Sequence, residues 1–194
     1  MPICIRLVLF LALCLTSPAL FAGSNIEVQT ARDGEFIVIQ ASVEIQEDPS
    51  VIWEVLTDYD HLAEFIPDMK ISRVIARTAD GVVVEQKGEM SFLFFTQSIE
   101  AQLAVIETPP RRISSRAISG SFKELVGNYD LNPTPDGGVR LHYIGRMIPD
   151  FIMPPLFGML AVRSAAEKRF SALVQEIAKR GKAQREQGAG KRPE

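Results

Sequence analysis

Residues 48 to 74, DPSVIWEVLTDYDHLAEFIPDMKISRV, constrain the fold of this chain more than any other stretch. Asp48 can cap a helix that begins at Pro49, whose fixed φ and missing N–H suit a first turn. Ile52, Val55 and Leu56 then fall at i, i+3 and i+4 and form one apolar stripe, which Asp58, Tyr59 and Asp60 break. In the second short helix Leu62 and Phe65 supply the buried side. Pro67 stops it by disfavouring helix at Ile66, and MKISRVI reads as a strand. Two short helices feeding a strand within 27 residues point to a fold that holds a ligand.

The strands on either side show how a cavity arises. In FIVIQASVEI, Ile37, Ile39, Ala41, Val43 and Ile45 occupy one face and Gln40, Ser42 and Glu44 the other. The same alternation runs from Leu93 to Val105, through Leu125, Gly127, Tyr129 and Leu131, and through Leu141, Tyr143, Gly145 and Met147. These are antiparallel strands with one wet face. Gly88, Gly127 and Gly145 fall on inward positions, where they leave space or permit sharp bending. Turn residues separate the strands at 79–81, 108–110 and 133–138. The last element is a helix over 155–179, with Leu156, Leu160, Ala166, Phe170, Leu173, Val174 and Ile177 at helical spacing and Glu167, Lys168, Arg169, Glu176, Lys179 and Arg180 mostly outside. The tail from 181 to 194 is polar and predicts disorder.

This order of elements, with Phe65 and Pro67 in a "F-x-P" turn and Gly127 and Tyr129 within GSFKELVGNYDLNPTPDGGVRLHY, resembles the START-like (SRPBCC) superfamily, in its coenzyme Q-binding and polyketide cyclase/dehydrase branch. The resemblance covers residues 35 to 180. It implies an α+β helix-grip fold: a curved antiparallel sheet of about seven strands wrapped on a long C-terminal helix, with two short helices after the first strand. It carries over no catalytic motif.

Ile3 to Phe21 holds one charge, Arg6, then LVLFLALCL and the boundary Phe21-Ala22-Gly23, the layout of a secretory signal peptide. Cleavage after Ala22 predicts an exported, periplasmic domain over 23–180. The alternative is an N-terminal membrane anchor, since about 20 apolar residues span a bilayer. Both cysteines, Cys4 and Cys14, lie in this segment, so the mature chain has no disulfide and must be held by its core. Charge is lopsided: residues 23–108 carry 16 acids and 5 bases, residues 109–194 carry 8 acids and 15 bases. Strands that interleave would mix the two signs, and without a dense basic patch nucleic acid is a poor partner.

Two apolar clusters are candidates for the cavity mouth. MSFLFF, residues 90–95, puts phenylalanines on both faces of a strand, and MIPDFIMPPLFGML, residues 147–160, sets Phe151, Met153 and Phe157 among prolines just before the helix. That second loop is the candidate gate, suited to transient membrane contact or to packing against the helix. Gln86, Gln97, Ser115, Tyr129 and Tyr143 are inward polar groups able to bond a ligand's head or one another, and Arg163 suits an anionic head group or an outward salt bridge. No metal cluster, phosphate loop or nucleophile elbow is legible, so neither metal nor cofactor is expected. The reading is a non-catalytic carrier or binding protein for a hydrophobic ligand, a lipid or isoprenoid quinone. The alternatives are an aromatase/cyclase-like enzyme using Tyr129, Tyr143 or Arg163 as proton donors, or a protein-interaction module with a filled interior.

Overall fold

A computed structural model describes residues 25–92, 95–154 and 157–189. The expected signal segment, both cysteines, Leu93, Phe94, Leu156 and residues 190–194 lie outside them. Two strands, β1 (Glu27–Asp33) and β2 (Phe36–Ile45), form a hairpin and lead into α1 (Pro49–Thr57) and α2 (Leu62–Phe65). Six more strands follow as a meander: β3 (Met69–Thr78), β4 (Gly81–Phe92), β5 (Phe95–Thr108), β6 (Arg112–Gly120), β7 (Phe122–Pro133) and β8 (Val139–Pro149). The chain ends in α3 (Gly158–Ala189). All eight strands join one antiparallel sheet in the order β1-β2-β8-β7-β6-β5-β4-β3, so β8 returns to β2 and the two short helices bridge from the β2 side to the far edge. This is the helix-grip fold.

Local chemistry explains the insertion. The Asp48 carboxylate accepts from the Ser50 amide at 2.8 Å and from the Ser50 hydroxyl at 2.6 Å, and Pro49 occupies the first turn. Val51, Ile52, Val55 and Leu56 are buried on the resulting stripe. Asp60 anchors the start of the meander by accepting from the Val74 amide at 2.7 Å. The main core gathers these side chains with Val43, Leu141, Phe170, Leu173, Val174 and Ile177, joining α1, the inner sheet face and the C-terminal half of α3.

Three expectations are corrected. The sheet, expected to have about seven strands, has eight among the described residues; the one not read from the sequence is β1 (EVQTARD), which buries only Val28 and so shows no alternation. Among the described residues the terminal helix begins at Gly158, the expected start at Pro155 lying outside them, and Leu160 is 53% exposed, leaving Ala161 and Val162 on the buried side. Residues 181–189 are helical and not disordered: Arg185 pairs with Glu47, and Gln184 reaches Glu54 at 3.4 Å. A β-carbon on Gly181 would come 2.2 Å from Glu47 Oε2, so the helix lies close on the α1 entry there. A tertiary ion pair and a hydrogen bond thus hold a stretch whose low apolarity suggested a loose tail.

Part of the lopsided charge is paired internally. Arg140 pairs with Glu44 at 2.5 Å, Arg146 with Asp33 at 3.4 Å and Arg180 with Asp58 at 2.8 Å, each joining the basic half of the chain to the acidic half.

Candidate functional site

Between the concave sheet and α3 lies a cavity of about 290 Å³. Its sheet wall follows the period of two: Val84, Gln86, Gly88 and Met90 on β4, then Ile99, Ala101, Leu103 and Val105 on β5. Its helix wall follows the period of 3.6: Val162, Ala165, Ala166, Arg169, Phe170 and Leu173. Leu56, Tyr59, Leu62 and Ile66 close one end, and Phe151 and Met153 line the other.

The floor is built around Tyr143. Gly127 and Gly145 face each other across β7 and β8. A β-carbon on Gly145 would sit 2.4 Å from the Tyr143 hydroxyl and 2.9 Å from Cζ of its ring; one on Gly127 would sit 3.0 Å from the hydroxyl. These glycines therefore do not leave empty space; they seat the Tyr143 ring flat on the sheet. Tyr129, the cross-strand partner of Tyr143, lies beside it with ring centroids 4.7 Å apart. Gly88 has a different role, since a β-carbon there would meet the Asp68 carbonyl at 2.3 Å where the chain enters β3.

Of the expected site residues, the structure brings Gln86, Ser115, Tyr129, Tyr143, Phe151 and Met153 to the cavity wall. Ser115 donates its hydroxyl to the Gly127 carbonyl at 3.2 Å. Phe151 meets Phe122 edge-on at 6.3 Å. Burial raises the phenol pKa of Tyr129, aided by Tyr143, and burial likewise raises that of Tyr143; the positive charge of Arg169 offsets part of each shift. Both phenols stay protonated at neutral pH and act as O–H donors.

Three expected residues fall elsewhere. Gln97 turns aside and donates to the Ser98 carbonyl at 2.9 Å. Phe157 is half-buried but is not part of the wall. Arg163 points outward, 56% exposed and bonded to Glu167 at 2.8 Å, because it lies one residue, about 100° of helix turn, from Val162 on the cavity stripe. The guanidinium that does face the cavity is Arg169, seven residues from Val162 and four from Leu173. Helical spacing alone could have found it; its charged neighbours Glu167 and Lys168 placed it outside in the sequence reading. Tyr59 was missed too: it lines the cavity and donates to Glu107 at 2.9 Å. The side chains of Phe92 to Phe95 lie outside the described ones, so that cluster is not placed.

Residues 45–173 match the family described as polyketide cyclase / dehydrase and lipid transport. The chain belongs to that family. Its fold is shared with solved structures of low identity. A STAR-related lipid transfer protein from Xanthomonas axonopodis aligns at 15% identity with a TM-score of 0.62, over 81% of this chain and 94% of the other. An aromatase/cyclase from Streptomyces sp. R1128 aligns at 12% and 0.62, over 76% and 94%. A START superfamily protein from Mycobacterium smegmatis aligns at 17% and 0.58, over 75% and 97%. No curated protein sequence matches the chain. The family match spans both short helices, the meander and the helix as far as Leu173, which encloses nearly all of the cavity wall. The START-like resemblance read from the sequence is therefore correct for fold and family.

Proposed function

We propose that this protein is a carrier or binding protein that holds a hydrophobic ligand of the lipid or isoprenoid quinone class in the cavity between the sheet and α3. The observation that carries this reading is the wall itself: a mostly apolar enclosure with a few polar groups, Gln86, Ser115, Tyr129, Tyr143 and Arg169, in its midst. Transfer of an apolar ligand from water supplies the drive, about 25 cal/mol per Å² buried. Among the described lining residues there is no carboxylate and no histidine, and both phenols are held protonated by burial. A wall without a general base favours holding a molecule over transforming it. The mouth reading follows from residues 151–153: Phe151 and Met153 line the cavity while Ile152, 90% exposed, offers an apolar contact to a membrane. Export rests on the N-terminal apolar segment.

Native mass spectrometry of the protein purified from its own host tests both points. A co-purifying lipid or quinone, on a chain whose mass begins at Gly23, is the expected result. Repeatedly empty protein that also fails to move lipid between liposomes argues against the carrier, and an intact N-terminus in the membrane fraction argues for an anchor.

A further inference from the structure

The chemistry of the ligand's polar end rests on the carrier reading and goes beyond it. Two cationic side chains line the cavity, Lys87 and Arg169. Lys87 is already matched, its Nζ lying 3.4 Å from Glu85 and 3.6 Å from Glu100. On α3, Arg163 is paired with Glu167, and Arg180 with Glu176 and Asp58. Arg169 differs: among the described residues, no carboxylate lies within ion-pair distance of it. Arg169 is partly buried and lines a mostly apolar enclosure without a counter-charge, so an anionic ligand there would supply the charge-assisted partner that it lacks.

What surrounds Arg169 narrows the anion. The sheet wall carries the phenols of Tyr129 and Tyr143, side by side and protonated, with the Ser115 hydroxyl on the neighbouring strand. The donors are a planar fork and O–H groups, and the uncompensated charge is single. A carboxylate has two oxygens, accepts from both arms of a guanidinium and carries one negative charge. A quinone carbonyl would leave the arginine charge unmatched, and the second charge of a phosphate monoester would find no unpaired cation among the described lining residues. From Arg169 toward Val162 the helix wall is apolar for seven residues, about 10 Å at the α-helical rise, ending near Met153 and Phe151.

We infer that the cavity takes a carboxylic acid with a medium-length apolar tail, its carboxylate held by Arg169 with the Tyr129 and Tyr143 hydroxyls and its tail directed along α3 toward Phe151 and Met153. The test is isothermal titration of delipidated protein with decanoate, decanol and decyl phosphate at neutral pH, on the native chain, Arg169→Gln and Arg169→Lys. Decanoate should bind about 10- to 100-fold more tightly than decanol, the range expected of charge-assisted hydrogen bonds. Arg169→Gln should bring decanoate down to the level of decanol, with Arg169→Lys between. The empty Arg169→Gln protein should unfold at the same temperature or higher, since it sheds an unpaired charge; a purely structural arginine would lower it.

Equal binding of decanoate and decanol by the native chain overturns the carboxylate site while leaving the carrier intact. So does a preference that survives Arg169→Gln, or decyl phosphate binding more tightly than decanoate. Failure of all three to bind a folded, delipidated protein removes the carrier reading as well. Should Arg169→Gln not fold, the native chain's discrimination between decanoate and decanol decides alone.

Discussion

The two halves of α3 do different work. From Phe170 to Arg185 the helix is fastened: Phe170, Leu173, Val174 and Ile177 are buried in the main core, Arg180 bridges Asp58 and Glu176 and lies 5.8 Å over the Phe65 ring, and Arg185 holds Glu47. From Gly158 to Arg169 it rests on a small cluster of Ile37, Met90, Ala161 and Val162, with Leu160 and Arg163 facing solvent. The cavity runs beneath this less fastened half. A helix that roofs a ligand site has to forgo packing over it, and its stability must come from the other end. Local opening is cheapest where buried apolar contacts are fewest, so the proposed carrier role predicts ligand exchange at the Phe151–Met153 end.

Point truncations test this asymmetry most strongly. Ile177→Ala removes a fully buried side chain from the fastened half and should cost about 3 kcal/mol in chemical denaturation. Met153→Ala at the mouth should cost about 1 kcal/mol or less while changing the rate of ligand exchange. Equal losses at the two sites would break the comparison.

A middle-sized effect is expected at the floor. In Gly145→Ala the new methyl would overlap the Tyr143 ring, which must lift into the cavity, so about 1 to 3 kcal/mol of stability should be lost and ligand uptake should fall. A crystal structure of this variant with Tyr143 unmoved and uptake unchanged would show that the glycine seat does not shape the site.

The smallest effect belongs to the charges around Asp58. His61 lies 2.5 Å from Asp58, whose other oxygen is 2.8 Å from Arg180. The hydrogen bond and charge of Asp58 raise the His61 pKa above its ordinary value, so its contribution is complete below about pH 6.5 and fades as pH rises through the folded-state value. Burial pushes Asp58 up, but the bonds from His61 and Arg180 outweigh it and hold its pKa low; its contribution is present above the ordinary carboxylate range and fades as pH falls through the folded-state value. Thermal unfolding from pH 5.5 to 8.5 should show the gap between the native chain and His61→Ala narrowing toward high pH. A gap independent of pH would mean that the pair acts by packing alone. His61 is largely exposed, so the whole effect is small.

Much of the scaffold is legible in single residues. Asp48 and Pro49 announce α1, Pro67 ends α2, and the alternation from Ile37 to Ile45 and around Tyr129 and Tyr143 names the inner face, because capping, φ restriction and the pleat are local consequences of residue type. Of the six expected site residues that reach the cavity wall, Gln86, Ser115, Tyr129 and Tyr143 do so from strands for that reason, and Phe151 and Met153 from the segment between β8 and α3. The failures have non-local causes. β1 is specified by its pairing with β2 and not by its own pattern. Helix after Lys179 depends on Glu47 and Glu54, more than a hundred residues earlier. Arg163 and Arg169 are both basic residues of one helix, and which of them faces the cavity depends on how the helix is rotated against the sheet.

By itself, then, the sequence determined the element types, the family frame and which strand positions look inward, since these follow from local backbone preference and from periodicity. Only the tertiary structure decided that ion pairs join the acidic half to the basic half, that two glycines support a tyrosine in place of a void, and that Arg169 is the cation left facing the cavity without a carboxylate among the described residues. Each of those depends on distances between segments far apart in the chain, which packing fixes and residue order does not.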